Sequence, residues 1–353
     1  MRVALVATCL VAACEVSGNL GGAADDDAAA PDANTTDVPS ADVSSADVVA
    51  SDVAARDVTA SDVAARDVAP ARDVAPVVDA PAAPPGDPQG RTRAQVCARW
   101  VADRALRART VWTAGPSQCD PGALAPEAHD DAMRVLNVYR WLAGEAPAGV
   151  DPSLAAQQQQ CAVMMTVNGS LSHAPPSTWR CYSAAGASAA GSSNLALGTS
   201  TPAAAMDLYA NERDQQLGHR RWVFAPNLGP IWVGATTRAS CMQTFRATRA
   251  ATVPPVVAWP NPGPSPIEAF AGVWHIQSGA RDVAGARVEV RDDATSAVLA
   301  TAAVSASGNY GSSAALAWRP SGWTPAVGAT YRVTVTLAAG APFVYRTSPV
   351  RCP

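Results

Sequence analysis

From Glu15 to Gly90 the chain has no aromatic residue and carries fifteen acidic residues against three arginines, a net charge of −12. A segment like that cannot bury enough apolar surface to offset the entropy of ordering it, so disorder is its expected state. Within it ASDVAARDVT at 50–59 is followed by ASDVAARDVA at 60–69, and the five-residue spacing of its Asp-Val pairs fits neither a helix nor a strand. Pro31, Pro39, Pro70 and Pro76 interrupt any helix the alanines would favour. Whatever folds must therefore come from the residues after 90, and 14–90 reads as an acidic linker that serves as a flexible tether.

The first thirteen residues, MRVALVATCLVAA, hold one arginine and an apolar run too short to span a bilayer. Residues 1–13 read as a signal peptide that is removed on export. Val11, Ala12 and Ala13 before Cys14 resemble the bacterial lipobox, which implies acylation of Cys14 and a membrane partner through the lipid anchor. The expected location is the bacterial cell envelope, or the medium where Cys14 is not acylated.

Residues 91–353 are a different polymer, with 22 arginines against 15 acidic residues and a net charge of +7. Basic clusters interleaved with aromatics are missing, which together with export argues against nucleic acid. With Cys9 lost and Cys14 acylated, Cys97, Cys119, Cys161, Cys181, Cys241 and Cys352 remain, an even set that suggests three disulfides. The economical pairing is 97–119, 161–181 and 241–352. No pair has CxxC spacing, so thiolate zinc and dithiol redox chemistry lack support.

The pattern from 95 to about 250 is largely helical. QVCARWVADRALRAR at 95–109 places Val96, Trp100 and Leu106 near one face, and 128–142 places Ala132, Leu136, Tyr139 and Leu142 at spacings of three and four. Asp151-Pro152 and Thr201-Pro202 each read as a cap with proline at the first helical position. The second helix of that pair is expected to run through AAAMDLYANERD until Gly218 ends it. WVFAP, IWVGAT and CMQTF then read as short strands. AATVPPVVAWP at 250–260 is a hinge candidate, and beyond it GARVEVRDDATSAVLATAAV reads as a hairpin around Asp292-Asp293. YRVTVTL alternates apolar with polar residues. The organisation expected is α+β, with domains at 91–252 and 253–353, the second a small all-β sandwich. His275, inside a strand pattern, reads as structural.

The helical region carries LNVYR at 136–140, AQQQQCAVMMTVNGSLSHAPP at 156–176, SSNLALG at 192–198 and GHRRWVFAP at 218–226. In their order and intervals these resemble the CAP superfamily, whose members include cysteine-rich secretory proteins, antigen 5 and plant pathogenesis-related proteins. The resemblance covers roughly 130–250. It implies a three-layer α-β-α sandwich, an extracellular location, and a cleft lined by two histidines and two glutamates. His173 and His219 match the two histidines, and Glu212, three residues after Tyr209, matches one glutamate. At the remaining position, ahead of Asn194, this chain has Ser193, so one acid is replaced by a hydroxyl.

Two imidazoles converging on a cleft could hold zinc or another divalent cation, with Glu212 orienting a ring or taking a proton. Against that stands a wholly structural His219, bonded to backbone carbonyls and flanked by surface arginines. Ser193 lacks the setting of a nucleophile. The reading that follows is a binding module without turnover, its cleft at His173, Ser193, Asn194, Glu212 and His219, for a lipid, glycan or envelope-protein ligand. The alternatives are a metal-dependent hydrolase using the same cleft, with Glu212 as base, and a structural envelope component.

Overall fold

A computed structural model describes residues 87–213, 216–245, 256–278, 283, 285–312 and 315–353. The expected signal peptide, Cys14 and the tether as far as residue 86 lie outside these residues. Residues 87–90, assigned to the tether from composition, are folded. Asp87 caps a 3-10 turn at Pro88–Gly90, and Gln89 accepts the Arg346 N–H at 3.3 Å.

Thr92 and Gln95 form a reciprocal capping box that starts α1 (Arg93–Arg104). This helix stops five residues short of the expected end. Asp131 accepts the N–H groups of Arg107 and Ala108 at 2.8 and 3.0 Å, drawing the chain off the helical path and leaving Leu106 exposed. After a two-stranded ribbon, β1 (Trp112–Thr113) and β2 (Ala123–Leu124), comes α2 (Pro126–Leu142). Its Ala132, Leu136, Tyr139 and Leu142 are all fully buried, as their spacing predicts. Asp151 and Pro152 lead through a 3-10 turn into α3 (Ala155–Asn168), which ends on Gly169 in the left-handed conformation. Then follow α4 (Ala184–Gly191), β3 (Ser193–Leu197), α5 (Pro202–Ala210), α6 (Gly218–Val223), β4 (Val233–Ala235) and β5 (Ala239–Gln243).

The strands β3, β5 and β4 form an antiparallel sheet in that order. Both of its faces are covered, so its residues sort by alternation. Leu195, Ala239 and Cys241 pack with Cys161, Met165 and Ala190 from α3 and α4. Ala196, Val233 and Met242 join the larger core with residues of α2 and α5. This is the three-layer α-β-α sandwich.

Two departures from expectation occur here. Trp222 and Val223, expected in a strand, belong to α6, and the chain leaves α5 at Asn211 rather than at Gly218. The WVF run has strand-like composition, but tertiary packing overrides so short a preference.

The remaining strands are β6 (Val257–Trp259), β7 (Gly263–Pro266), β8 (Trp274–Gln277), β9 (Arg287–Asp292), β10 (Val298–Leu299), β11 (Thr301–Val304), β12 (Ala315–Pro320), β13 (Tyr331–Thr336) and β14 (Phe343–Val350). They form two sheets, β10-β9-β13-β14-β7 and β11-β12-β8-β6. The expected hairpin is present, pairing Arg291 with Val298, but its second arm crosses to the other sheet at β11. Part of the hinge candidate, 250–255, lies outside the described residues; the rest is buried strand, because its β-branched and aromatic residues sit between the prolines rather than among them.

In the smaller of these two sheets, β6 and β8 are buried on both faces. Trp274 and Ile276 turn to the sandwich core, where Trp274 meets Tyr331 at 6.1 Å between ring centroids. On the opposite face Trp259 packs against Tyr139 of α2 and Phe224 beside α6, at 5.5 and 5.0 Å. The described residues thus belong to one compact unit with a continuous apolar core from helices to sandwich.

Three disulfides form, but none is the economical pairing. Cys97 joins Cys352, Cys119 joins Cys181 and Cys161 joins Cys241. Sequence proximity is a poor guide because Cys161 on α3 lies directly under β5, and α1 lies beside the chain end. The 255-residue span of Cys97–Cys352 closes the whole unit, a constraint on the unfolded chain worth a few kcal/mol in principle. Three disulfides fit an exported protein in an oxidising setting.

His275 on β8 is fully buried and His129 on α2 nearly so, and burial holds both imidazoles below the usual histidine range, with Arg220 pushing His275 the same way. The unfolded chain therefore takes up protons first, and stability is lost as pH falls below the unfolded value of about 6.5. Thermal unfolding should show Tm dropping between pH 7 and pH 5, and His275→Gln should flatten that drop. An unchanged pH slope in the variant would contradict the assignment.

Candidate functional site

Thr201 caps α5 by accepting the Ala204 N–H at 3.0 Å, and Pro202 fills the first helical position. The helix ends with Tyr209 fully buried, its hydroxyl donating to the Asn194 carbonyl at 3.1 Å, and burial raises that phenol well above its usual pKa. This fixes β3 against α5 and sets Glu212 just past the helix end.

Helix α6 begins at Leu217, which adopts φ 51° and offers no capping side chain. Glu212 supplies the cap. One carboxylate oxygen accepts the Arg220 N–H at 3.0 Å, while the other lies 2.8 Å from His219 Nδ1. A carboxylate can only accept, so Nδ1 carries a proton and Nε2 is left as the ring's outward hydrogen-bonding edge. The His219 ring stacks on Tyr209 at 5.2 Å and 24°. His173 reaches the same tautomer independently, because its Nδ1 lies 2.9 Å from the Ala190 carbonyl, also an acceptor only. Neither Nε2 has a partner among the described residues.

Both histidines line one cleft of about 520 Å³ together with Glu212, Ser193 and Asn194. All five residues singled out from the sequence converge. Their roles differ from expectation, however. Ser193 is buried and donates to Gln158 at 3.0 Å; Gln158 in turn donates to Gln243 at 2.6 Å. An uncharged amide network thus lies behind the Ser193 hydroxyl. Asn194 donates its amide to the His219 carbonyl at 3.0 Å, tying β3 to α6.

The two arginines of GHRRW are buried, not surface groups. Arg220 donates to the carbonyls of Val273, at 2.6 Å, and Glu212. Burial lowers its guanidinium to about 10, with Glu212 opposing the shift, so it stays charged at neutral pH. Arg221 donates to the carbonyls of Ala306, Ser307, Gly308 and Ser312 at 2.8–3.3 Å, grasping the sandwich loop between β11 and β12. That loop brings Asn309 and Tyr310 into the cleft wall. Gly311, at φ 73°, sits so close to α6 that a Cβ would lie 2.6 Å from that of Ala225. Trp222 and Phe245 form the rest of the rim, their rings 4.7 Å apart.

Sequence reasoning missed the contribution of the sandwich. Its one available signal was SGNYG at 307–311, where Asn309 and an aromatic, Tyr310, sit between two glycines.

A zinc ion held by protein needs three or four donors. The cleft supplies two imidazole nitrogens, while the Glu212 carboxylate is engaged and Ser193 Oγ is turned to Gln158. Among the described residues no group of three or more His, Cys, Asp and Glu is arranged to hold a metal. These residues do not fit a resident catalytic zinc. No helix of the described residues is long and apolar enough to cross a membrane.

Residues 133–230 match the family model for CAP, the cysteine-rich secretory protein family. That stretch is a CAP domain, and it contains His173, Glu212 and His219. No curated protein and no solved structure matches the chain.

Arg221 gives the sharpest test of how the cleft is built. Arg221→Met leaves several carbonyls without donors and should cost at least about 3 kcal/mol in urea unfolding. A loss below about 0.5 kcal/mol, as for an ordinary surface change, would mean the clamp contributes nothing.

Proposed function

We propose that this chain is an exported, membrane-anchored binding module whose CAP cleft holds a ligand without transforming it. The observation that carries the reading is the state of Glu212. The Glu212 side chain is only 10% exposed, and its two oxygens are turned to the His219 ring N–H and to the N-terminus of α6, so the group serves as an orienting cap rather than facing a ligand. A general base must have a lone pair within reach of the proton it takes. The second acid is replaced by a buried serine in an amide network. What faces the cleft is a set of hydrogen-bonding edges and aromatic rings, the usual makeup of a recognition site.

The anchor reading rests on the sequence before residue 87, which resembles a signal peptide ending at an acylated Cys14. An acidic tether of this length lets the basic folded unit stand off the membrane. In a bacterial host, Cys14→Ser should release the chain from the membrane fraction into the soluble one. Retention at wild-type levels would remove the lipid anchor.

The catalytic question is settled by turnover. The purified full chain, assayed on peptide and ester substrates with added zinc, should show no activity above that of its Glu212→Gln variant. Turnover that disappears both in this variant and with chelator would replace the binding reading with a metal-dependent hydrolase.

A further inference from the structure

The cleft has a chemical character that narrows its ligand. It is lined by the aromatic rings of Trp222, Phe245 and Tyr310 and by the imidazoles of His173 and His219, whose Nδ1 atoms are bonded away from it. Phe245 is 58% exposed although it belongs to a short run leading out of a buried strand, an uncommon position for a large apolar ring. Aromatic rings beside hydrogen-bonding groups suit a ligand with an apolar face and a polar edge.

Charge excludes several classes. Among the described lining residues the only carboxylate is Glu212; it is turned to the His219 ring and the Arg220 backbone N–H, and the Arg220 guanidinium attracts it. A second guanidinium, Arg221, lies 5.2 Å from the Tyr310 ring centroid. A cationic ligand seeking an aromatic cage would meet that charge behind the ring it needs. An anionic ligand would find no guanidinium to pair with, because the bonded N–H groups of both arginines are turned to backbone carbonyls. An acyl chain would have to lie across two polar imidazole edges and leave them desolvated.

An uncharged sugar meets these terms. The C–H face of a pyranose ring packs on an aromatic ring, and its hydroxyls can donate to imidazole nitrogens and exchange hydrogen bonds with amide side chains such as Gln216 and Asn309. The volume of about 520 Å³ lies within the usual range of small-ligand sites, about 300–1,000 Å³. Building on the binding reading above, we infer that the cleft binds a neutral oligosaccharide, and that the sandwich loop carrying Asn309 and Tyr310 is its specificity element. The loop is suited to that role because Arg221 fixes its backbone while leaving its tip side chains on the cleft.

Calorimetric titration of the full chain with two neutral probes, the β-1,4-linked tetramer of N-acetylglucosamine and cellotetraose, tests this. At least one should bind with a Kd below the millimolar range. Phe245→Ala and Tyr310→Ala should each weaken binding ten-fold or more, with the Phe245 variant keeping the wild-type Tm. Binding that neither variant alters lies elsewhere and overturns the assignment. If neither sugar binds but palmitate does, competing with no added sugar and sensitive to Phe245→Ala, the sugar inference falls while the binding module stands. If neither sugar nor palmitate nor a detergent extract of bacterial envelope yields a bound molecule, both fall.

Discussion

The site depends on the burial of two charged side chains from one six-residue helix. A guanidinium taken out of water is tolerable only where its N–H groups are met by acceptors. Helix α6 presents Arg220 and Arg221 in succession, and apart from the Glu212 carbonyl the acceptors that meet them come from the sandwich side, at Val273 and in the loop from Ala306 to Ser312. Removing the sandwich would strip Arg221 of its carbonyl partners and leave Arg220 with the Glu212 carbonyl alone. The CAP segment and the tail are thus joined by an electrostatic necessity as well as by apolar contact through Trp259.

That junction also explains the shape of the turn that carries the chemistry. Leu217 holds a left-handed conformation that a bulky residue ordinarily avoids, and its side chain is buried with Val273, Ala306 and Ala317. The turn it makes reverses the chain so that Glu212, left behind at the end of α5, faces the N-terminus of α6. One carboxylate then satisfies an orphan helix N–H and fixes the His219 tautomer together. The histidine geometry is therefore a product of sandwich packing as much as of the CAP layers.

Much of this was legible in the residues, and what was not has identifiable causes. The three-and-four spacing in α2, the Pro-capped starts of α3 and α5, and the alternation in β13 each mark a single apolar face, and each element is present. Order and spacing of the family marks found the convergent pair His173 and His219, though they lie 46 residues apart in the chain. Helix α4, AAGASAAG, gave no signal because small residues alone carry no periodicity. Helix α6 was misread because WVF favours strands locally. Arg221 could not be found from composition, since arginine is ordinarily a surface residue and its burial depends on carbonyls some ninety residues later. The disulfides failed for the same reason: contact in three dimensions, not spacing, selects the partner.

The central claim is that the sandwich loop forms a wall of the CAP cleft, with the Tyr310 ring resting on Gly218, where an added Cβ would lie 3.1 Å from a ring carbon. Proton NMR reads that contact directly. Strong nuclear Overhauser effects between the Tyr310 ring protons and the Gly218 α-protons, lost in Arg221→Met, are the result this account predicts. Their absence from a folded wild-type chain would mean that the loop does not close the cleft.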